Sequence, residues 1–177
     1  MGKRRSSHAI LEWIGVTNIG VADNTIERES IDLVLDDDEI AEIWKIDSDI
    51  VLSRVAVAAN AAVLIDSSLY TDPTVSLSAA PSAENSYEDL EQIMLHTEHI
   101  VYEYAEATET GGVALKQAFN KVVSFQDHPV IVANNLAMLS RSVGTGITPT
   151  CSFFMKIYFT RRRASEIELA RTLLKRR

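Results

Sequence analysis

The 177-residue sequence predicts an all-β protein, an antiparallel β-sandwich followed by one short C-terminal α-helix. Three observations predict it. From Thr150 to Thr160 the residues alternate, with Cys151, Phe153, Met155, Ile157 and Phe159 on one face and Ser152, Lys156, Tyr158 and Thr160 on the other; that period of two, with its aromatic enrichment, marks a half-buried strand. Similar runs recur along the chain, separated by Asp-, Gly- and Pro-containing turns, a spacing that favours antiparallel sheets. Near the end, Ser165 followed by Glu168 forms a capping box, and Ile167, Ala170, Leu173 and Leu174 supply an apolar helical stripe.

Strands are expected over residues 10–16, 31–35, 43–52 and 55–65. In the third, Trp44, Ile46, Ile50 and Leu52 share parity while Lys45, Asp47 and Asp49 take the opposite face. Residues 36–42, with Asp36, Asp37, Asp38 and Glu39 leading, read as one helical turn with acids at its positive N-terminal end. The Ala-rich 55–65 run fits either a helix or a small-residue strand. Residues 66–92, rich in Ser and Ala and broken by Pro73 and Pro81, read as a long loop, and long loops in compact domains are usually functional. A short helix is expected within 87–95 and a strand over 99–105.

Residues 113–125 alternate as a strand, although Gln117 and Lys121 interrupt the apolar face and a helix over 114–123 competes. Asp127-His128-Pro129 is a turn. The run 130–139 is apolar on both faces apart from Asn134 and Asn135, which suits a strand buried on both sides. Gly144, Gly146 and Pro149 then mark a turn before the 150–160 strand. The expectation is about eight strands, divided as a basic arm over 1–8, a sandwich over 9–160 and a basic helical segment over 161–177.

Charge is distributed unevenly. The formal total is −8, yet Lys3, Arg4 and Arg5 give the first five residues +3, and residues 156–177 carry +6, leaving −17 on the stretch between. An acidic body with two basic ends suggests termini that reach for a polyanion or for acidic groups of a neighbouring subunit. Lys3, Arg4, Arg5, Arg161, Arg162, Arg163, Arg171, Lys175, Arg176 and Arg177 are the candidates. No aromatic residue interleaves the C-terminal arginines, so binding to nucleic acid would be non-specific and salt-sensitive.

Catalytic patterns are not found: no Walker A loop, no Gly-x-Gly-x-x-Gly, no Gly-x-Ser-x-Gly and no His-Glu-x-x-His. No catalytic residue, metal site or cofactor is therefore assigned, and an enzyme is not expected. His96 and His99 could share a metal on a helix, but on a strand they point to opposite faces. The Asp36–Asp38 cluster lacks the spacing and central glycine of a calcium loop. Cys151 shares its face with Phe153 and Met155 and reads as a small buried residue. Gly2 and Ser6 match a myristoylation pattern formally. No apolar run reaches the roughly 18–20 residues of a membrane-spanning helix. The start, basic and then Ser6-Ser7-His8, does not read as a secretory signal.

Taken together, the Lys3-Arg4-Arg5 arm, the alternating runs from Ile10 to Phe159 and the Asp127-His128-Pro129 turn before residues 130–139 resemble the single jelly-roll capsid proteins of icosahedral viruses. The resemblance implies a sandwich of jelly-roll type that self-assembles as a homo-oligomeric shell, alone or with other capsid proteins. It implies a location in the virion after synthesis in the host cytoplasm, with basic termini toward the genome, an inner layer or neighbouring subunits. Leu69, Tyr70, Val75 and Leu77 are the expected subunit contacts, as apolar residues of the long loop. The other reading is a nucleic-acid-binding or regulatory module with a basic C-terminal helix.

Overall fold

A computed structural model describes residues 10–54, 61–71, 92–102, 115–133, 135–145 and 149–174. They form two antiparallel sheets and one helix. The strands are β1 (Glu12–Ala22), β2 (Thr25–Ile31), β3 (Glu39–Arg54), β4 (Ala61–Tyr70), β5 (Gln92–Tyr102), β6 (Leu115–Ser124), β7 (Val130–Val132), β8 (Leu136–Thr145) and β9 (Pro149–Arg163), and α1 is Glu166–Leu174. Sheet A runs β1-β9-β3-β6, with β7 beside β3 past the end of β6; sheet B runs β2-β8-β4-β5.

The pairing is nested. β4 pairs with β5, β3 with β6 and β7, β2 with β8, and β1 with β9. A chain folded back on itself like one long hairpin gives this series, and rolling it brings β9 against β3 and β8 against β4. Two interlocking Greek keys result, the jelly-roll arrangement. The all-β sandwich and its terminal helix are as expected.

Period-two alternation builds the core. Cys151, Phe153, Met155, Ile157 and Phe159 of β9 are buried, as are Ile43, Ile46, Ile50 and Leu52 of β3. Ala61, Val63, Ile65 and Leu69 of β4 and Leu136 and Met138 of β8 are buried in the same cluster. A bulge at Trp44 resets the phase of β3, so Ile43 and Ile46 both face inward. Trp44 therefore leaves the parity expected of it and donates from Nε1 to Thr160 Oγ1 at 3.0 Å.

Several expectations need correction. Residues 130–139 are not one strand: β7 belongs to sheet A and β8 to sheet B, and the chain changes sheets between them. The apolar run looked continuous because β8 is buried on both parities. Residues 36–42 hold no helix. Asp37 and Asp38 form a turn closed by Glu39 N–H to Asp36 O at 2.9 Å, and β3 begins at once, because Glu39–Ala41 pair with Arg161–Arg163. The second strand lies at 25–31 rather than 31–35; Leu33 is buried, but residues 32–36 have left the sheet.

Residues 66–70 of the expected loop belong to β4 and Gln92 opens β5, while residues 72–91 lie outside the described residues. Residues 92–95 are strand, not helix, and 115–124 are strand, which decides that competition. Arg161–Arg163, expected in the helical segment, end β9. Helix α1 starts as predicted: Glu168 N–H donates to Ser165 Oγ at 3.3 Å.

Candidate functional surfaces and the interior polar seam

The predicted basic cluster lies where β9 ends, and its side chains meet acids of the same chain. Arg161 donates from Nε to Glu12 Oε1 at 2.8 Å and from Nη2 to Glu12 Oε2, a bidentate clamp from β9 to β1. Its Nη1 reaches Val34 O at 3.0 Å. Arg162 binds Glu42 of β3 through Nε and Glu168 of α1 through Nη1 and Nη2. Arg163 lies 3.4 Å from Asp38, an exposed pair of little energetic weight. Arg161 and Arg162 hold Glu12 and Glu168 below the usual carboxylate range through these hydrogen bonds.

Arg161 and Arg162 thus tie β1, β3, the 32–38 connection and α1 together. Arg171 is exposed on α1, whereas Lys3, Arg4, Arg5, Lys175, Arg176 and Arg177 lie outside the described residues. So do Val75 and Leu77. Leu69 and Tyr70 lie in β4 rather than in a loop and are buried, so neither offers surface to a neighbouring subunit.

Beside the arginines, Val34 is strained. Its φ is 52°, a left-handed conformation that β-branched residues rarely adopt. Asp32 Oδ1 accepts its N–H at 2.8 Å and Arg161 takes its carbonyl, which fixes the backbone and leaves the side chain exposed.

The interior holds a seam of polar groups that sequence reasoning did not find. In sheet B, Ser140, Ser67 and His96 are register neighbours on β8, β4 and β5. Asn18 of β1 donates from Nδ2 to Ser140 Oγ at 3.0 Å. His96, only 1% exposed, lies 3.0 Å from Ser48 Oγ through Nδ1 and 3.1 Å from Glu98 Oε1 through Nε2. Ser48 belongs to β3, so this imidazole bridges the two sheets. Burial holds it below its ordinary value of 6.5, against an opposite pull from Glu98.

Ser67 Oγ, between Ser140 and His96, makes no hydrogen bond among the described residues. At the open edge Lys121 Nζ donates to Leu95 O at 2.6 Å. The Ser48–His96–Glu98 line has the residue types of an acyl-transfer triad, but Ser48 is fully buried. A nucleophile must meet its substrate, so the arrangement is structural in form. His99, three residues on, is exposed on the opposite face, as a strand requires.

Two other buried polar sites lie in sheet B and between the sheets. Arg141 of β8 binds Asp66, its direct cross-strand partner on β4, with Nε to Oδ2 at 2.9 Å. Both are within 3% of full burial. Arg141, two residues beyond the apolar 130–139 run, was the available signal for this pair. Cys151 donates from Sγ to Ser142 Oγ at 3.3 Å, and burial pushes its thiol up, away from the reactive thiolate.

The outer face of sheet A is open. Trp13 of β1 is 63% exposed and Val122 of β6 51%, with Phe154 of β9 between them on the same face. Lys156 Nζ lies 4.2 Å from the Trp13 ring centroid and 4.9 Å from that of Tyr158. Lys45 Nζ is 4.9 Å from Tyr158 on its other flank and 2.8 Å from Asp47 Oδ1. Cation–π contact and the ion pair restrain these side chains.

Among the described residues no group of three His, Cys, Asp or Glu side chains could hold a metal ion, and no helix is long and apolar enough to cross a membrane. No family model matches the sequence, and no curated protein matches it.

Proposed function

We propose that this chain is a structural subunit that assembles with copies of itself into a closed shell of the virus-capsid type. The observation that carries the reading is the apolar surface left open on a complete jelly roll: Trp13, Phe154 and Val122 on one sheet face, and Leu11, Val34 and Ile167 exposed just before β1, in the 32–38 connection and on α1. Exposed apolar groups gathered on particular faces mark surfaces that meet protein. Arg161, Arg162 and Arg163 face carboxylates of their own chain, which weighs against a module whose main work is binding nucleic acid through those arginines. Contact with genome, inner layer or neighbouring subunits then falls to Lys3, Arg4, Arg5, Arg171, Lys175, Arg176 and Arg177.

The test is light scattering followed by negative-stain microscopy of the purified full chain over a range of salt. Uniform closed particles are the expected result. A monodisperse monomer under every condition, or a small species that binds DNA in low salt and never assembles, would sink the proposal.

A further inference from the structure

The outer face of sheet A carries an uneven pattern of bulk and charge. Its rows run across the four strands in register. One row is Gly15, Lys156, Asp47 and Val122, from β1 through β9 and β3 to β6; the next is Trp13, Tyr158, Lys45 and Ser124.

Gly15 is the first observation. It is exposed at mid-strand, where glycine weakens a β-strand. The fold does not require it: a Cβ built there would meet only Trp13 Cζ3 at 3.7 Å and Met155 O at 4.0 Å, both ordinary contacts. Nor does its φ lie in the region that favours glycine. A missing side chain that the monomer does not need leaves a dent beside Trp13, with the projecting Val122 at the other end of the same row.

Charge is the second. Lys156 makes no ion pair among the described residues; its ammonium sits over the Trp13 and Tyr158 rings, while Asp47, directly across on β3, is held by Lys45. One half of the row carries a cation without a carboxylate, and the other carries a carboxylate.

The geometry points to a two-fold, face-to-face dimer through the outer face of sheet A, its axis parallel to the strands and midway between β9 and β3. That operation sets β9 of each copy over β3 of the other and β1 over β6. Lys156 then faces Asp47 of the second copy, Val122 faces the Gly15 dent, and Tyr158 faces Lys45. Aligned sheet-on-sheet packing is a common arrangement of antiparallel sheets, and an isologous contact must be self-complementary in this way. Four strands over eight residues span on the order of 500 Å² as a flat projection, and more as accessible surface, approaching the roughly 800 Å² a side of a stable interface.

The dimer rests on the self-assembly reading only in taking a second copy as the partner. It is tested by sedimentation velocity on the full chain, with circular dichroism as the check on folding. Gly15→Val fills the dent with a good strand former, so the variant should fold normally and dimerise at least about tenfold more weakly. Lys156→Asp and Asp47→Lys should each stay monomeric alone, since each sets like charges opposite each other twice. Mixed, they should restore the dimer, because every facing pair is then opposite in sign.

A Gly15→Val dimer of unchanged strength overturns the proposal, and so does a mixture that stays monomeric. Closed particles formed equally by all variants would leave self-assembly standing and remove this face from it. Dimers without particles would do the reverse.

Discussion

His96 shows what one residue can be asked to do here. Its imidazole joins the sheets through Ser48 and reaches toward solvent through Glu98, with Lys121 and Asp49 as the other charges that bear on it. Because the folded protein holds it below 6.5, the unfolded chain binds a proton more readily over the interval beneath that value. Its contribution is complete above about pH 6.5 and is lost as pH falls toward the folded-state value. Thermal unfolding should therefore fall in midpoint from pH 7 to pH 5, and His96→Gln should flatten that slope while lowering stability at pH 7. A variant with the wild-type slope would remove His96 as its source. Buried residues of this kind were hard to read from sequence: strand parity separates His96 from His99, but only the packed sheets bring Ser48 within reach.

At the scale of elements, the end of β9 is organised by its arginines. Arg162 holds Glu42 on β3 and Glu168 on α1 together, and α1 is a nine-residue helix, too short to persist alone. Its cap at Ser165 is local, whereas Arg162 and the Ala164 N–H bond to Asp38 O link it to the sandwich. Arg162→Ala should release α1 while leaving the strands paired, giving early proteolysis after Arg163 with only a small change in unfolding midpoint. The ion pairs of Arg162 are partly exposed and screened by solvent, so the local readout is the decisive one. Acid should act in the same direction. Glu12 and Glu168 are held low, so their contribution is present above about pH 4.5 and lost as pH falls through their folded-state values. The sequence made the basic cluster conspicuous; its carboxylate partners at positions 12, 38 and 42 were too far along the chain to be assigned.

For the whole molecule, the decisive fact is where the last strand goes. β9 lies between β1 and β3, so residues 149–163 complete a sheet begun at residue 12. Most pairings are therefore non-local, and folding must close long loops before those contacts reward it. A chain ending at residue 148 should lose cooperative unfolding altogether, by circular dichroism and by calorimetry, because β1 and β3 would each lack their shared neighbour and Phe153, Ile157 and Phe159 would leave the core. Retention of a cooperative transition would show that sheet B and the rest of sheet A fold without it.

Period-two alternation, turn residues and a capping box are local properties of the chain, and they determined the all-β class, the 150–160 strand, the inward set on β9 and the start of α1. They failed where local pattern and partner disagreed. Asp36–Glu39 carried the acids of a helix start, yet pairing with Arg161–Arg163 made a strand of what followed. Residues 130–139 were apolar throughout, yet a change of sheet divided them, since hydrophobicity reports burial and not which sheet buries it. Only the tertiary structure decided that the arginines meet carboxylates, that a histidine bridges the sheets, and that Gly15, Lys156, Asp47 and Val122 form one row. Each of these depends on register between strands far apart in sequence, which no single segment encodes.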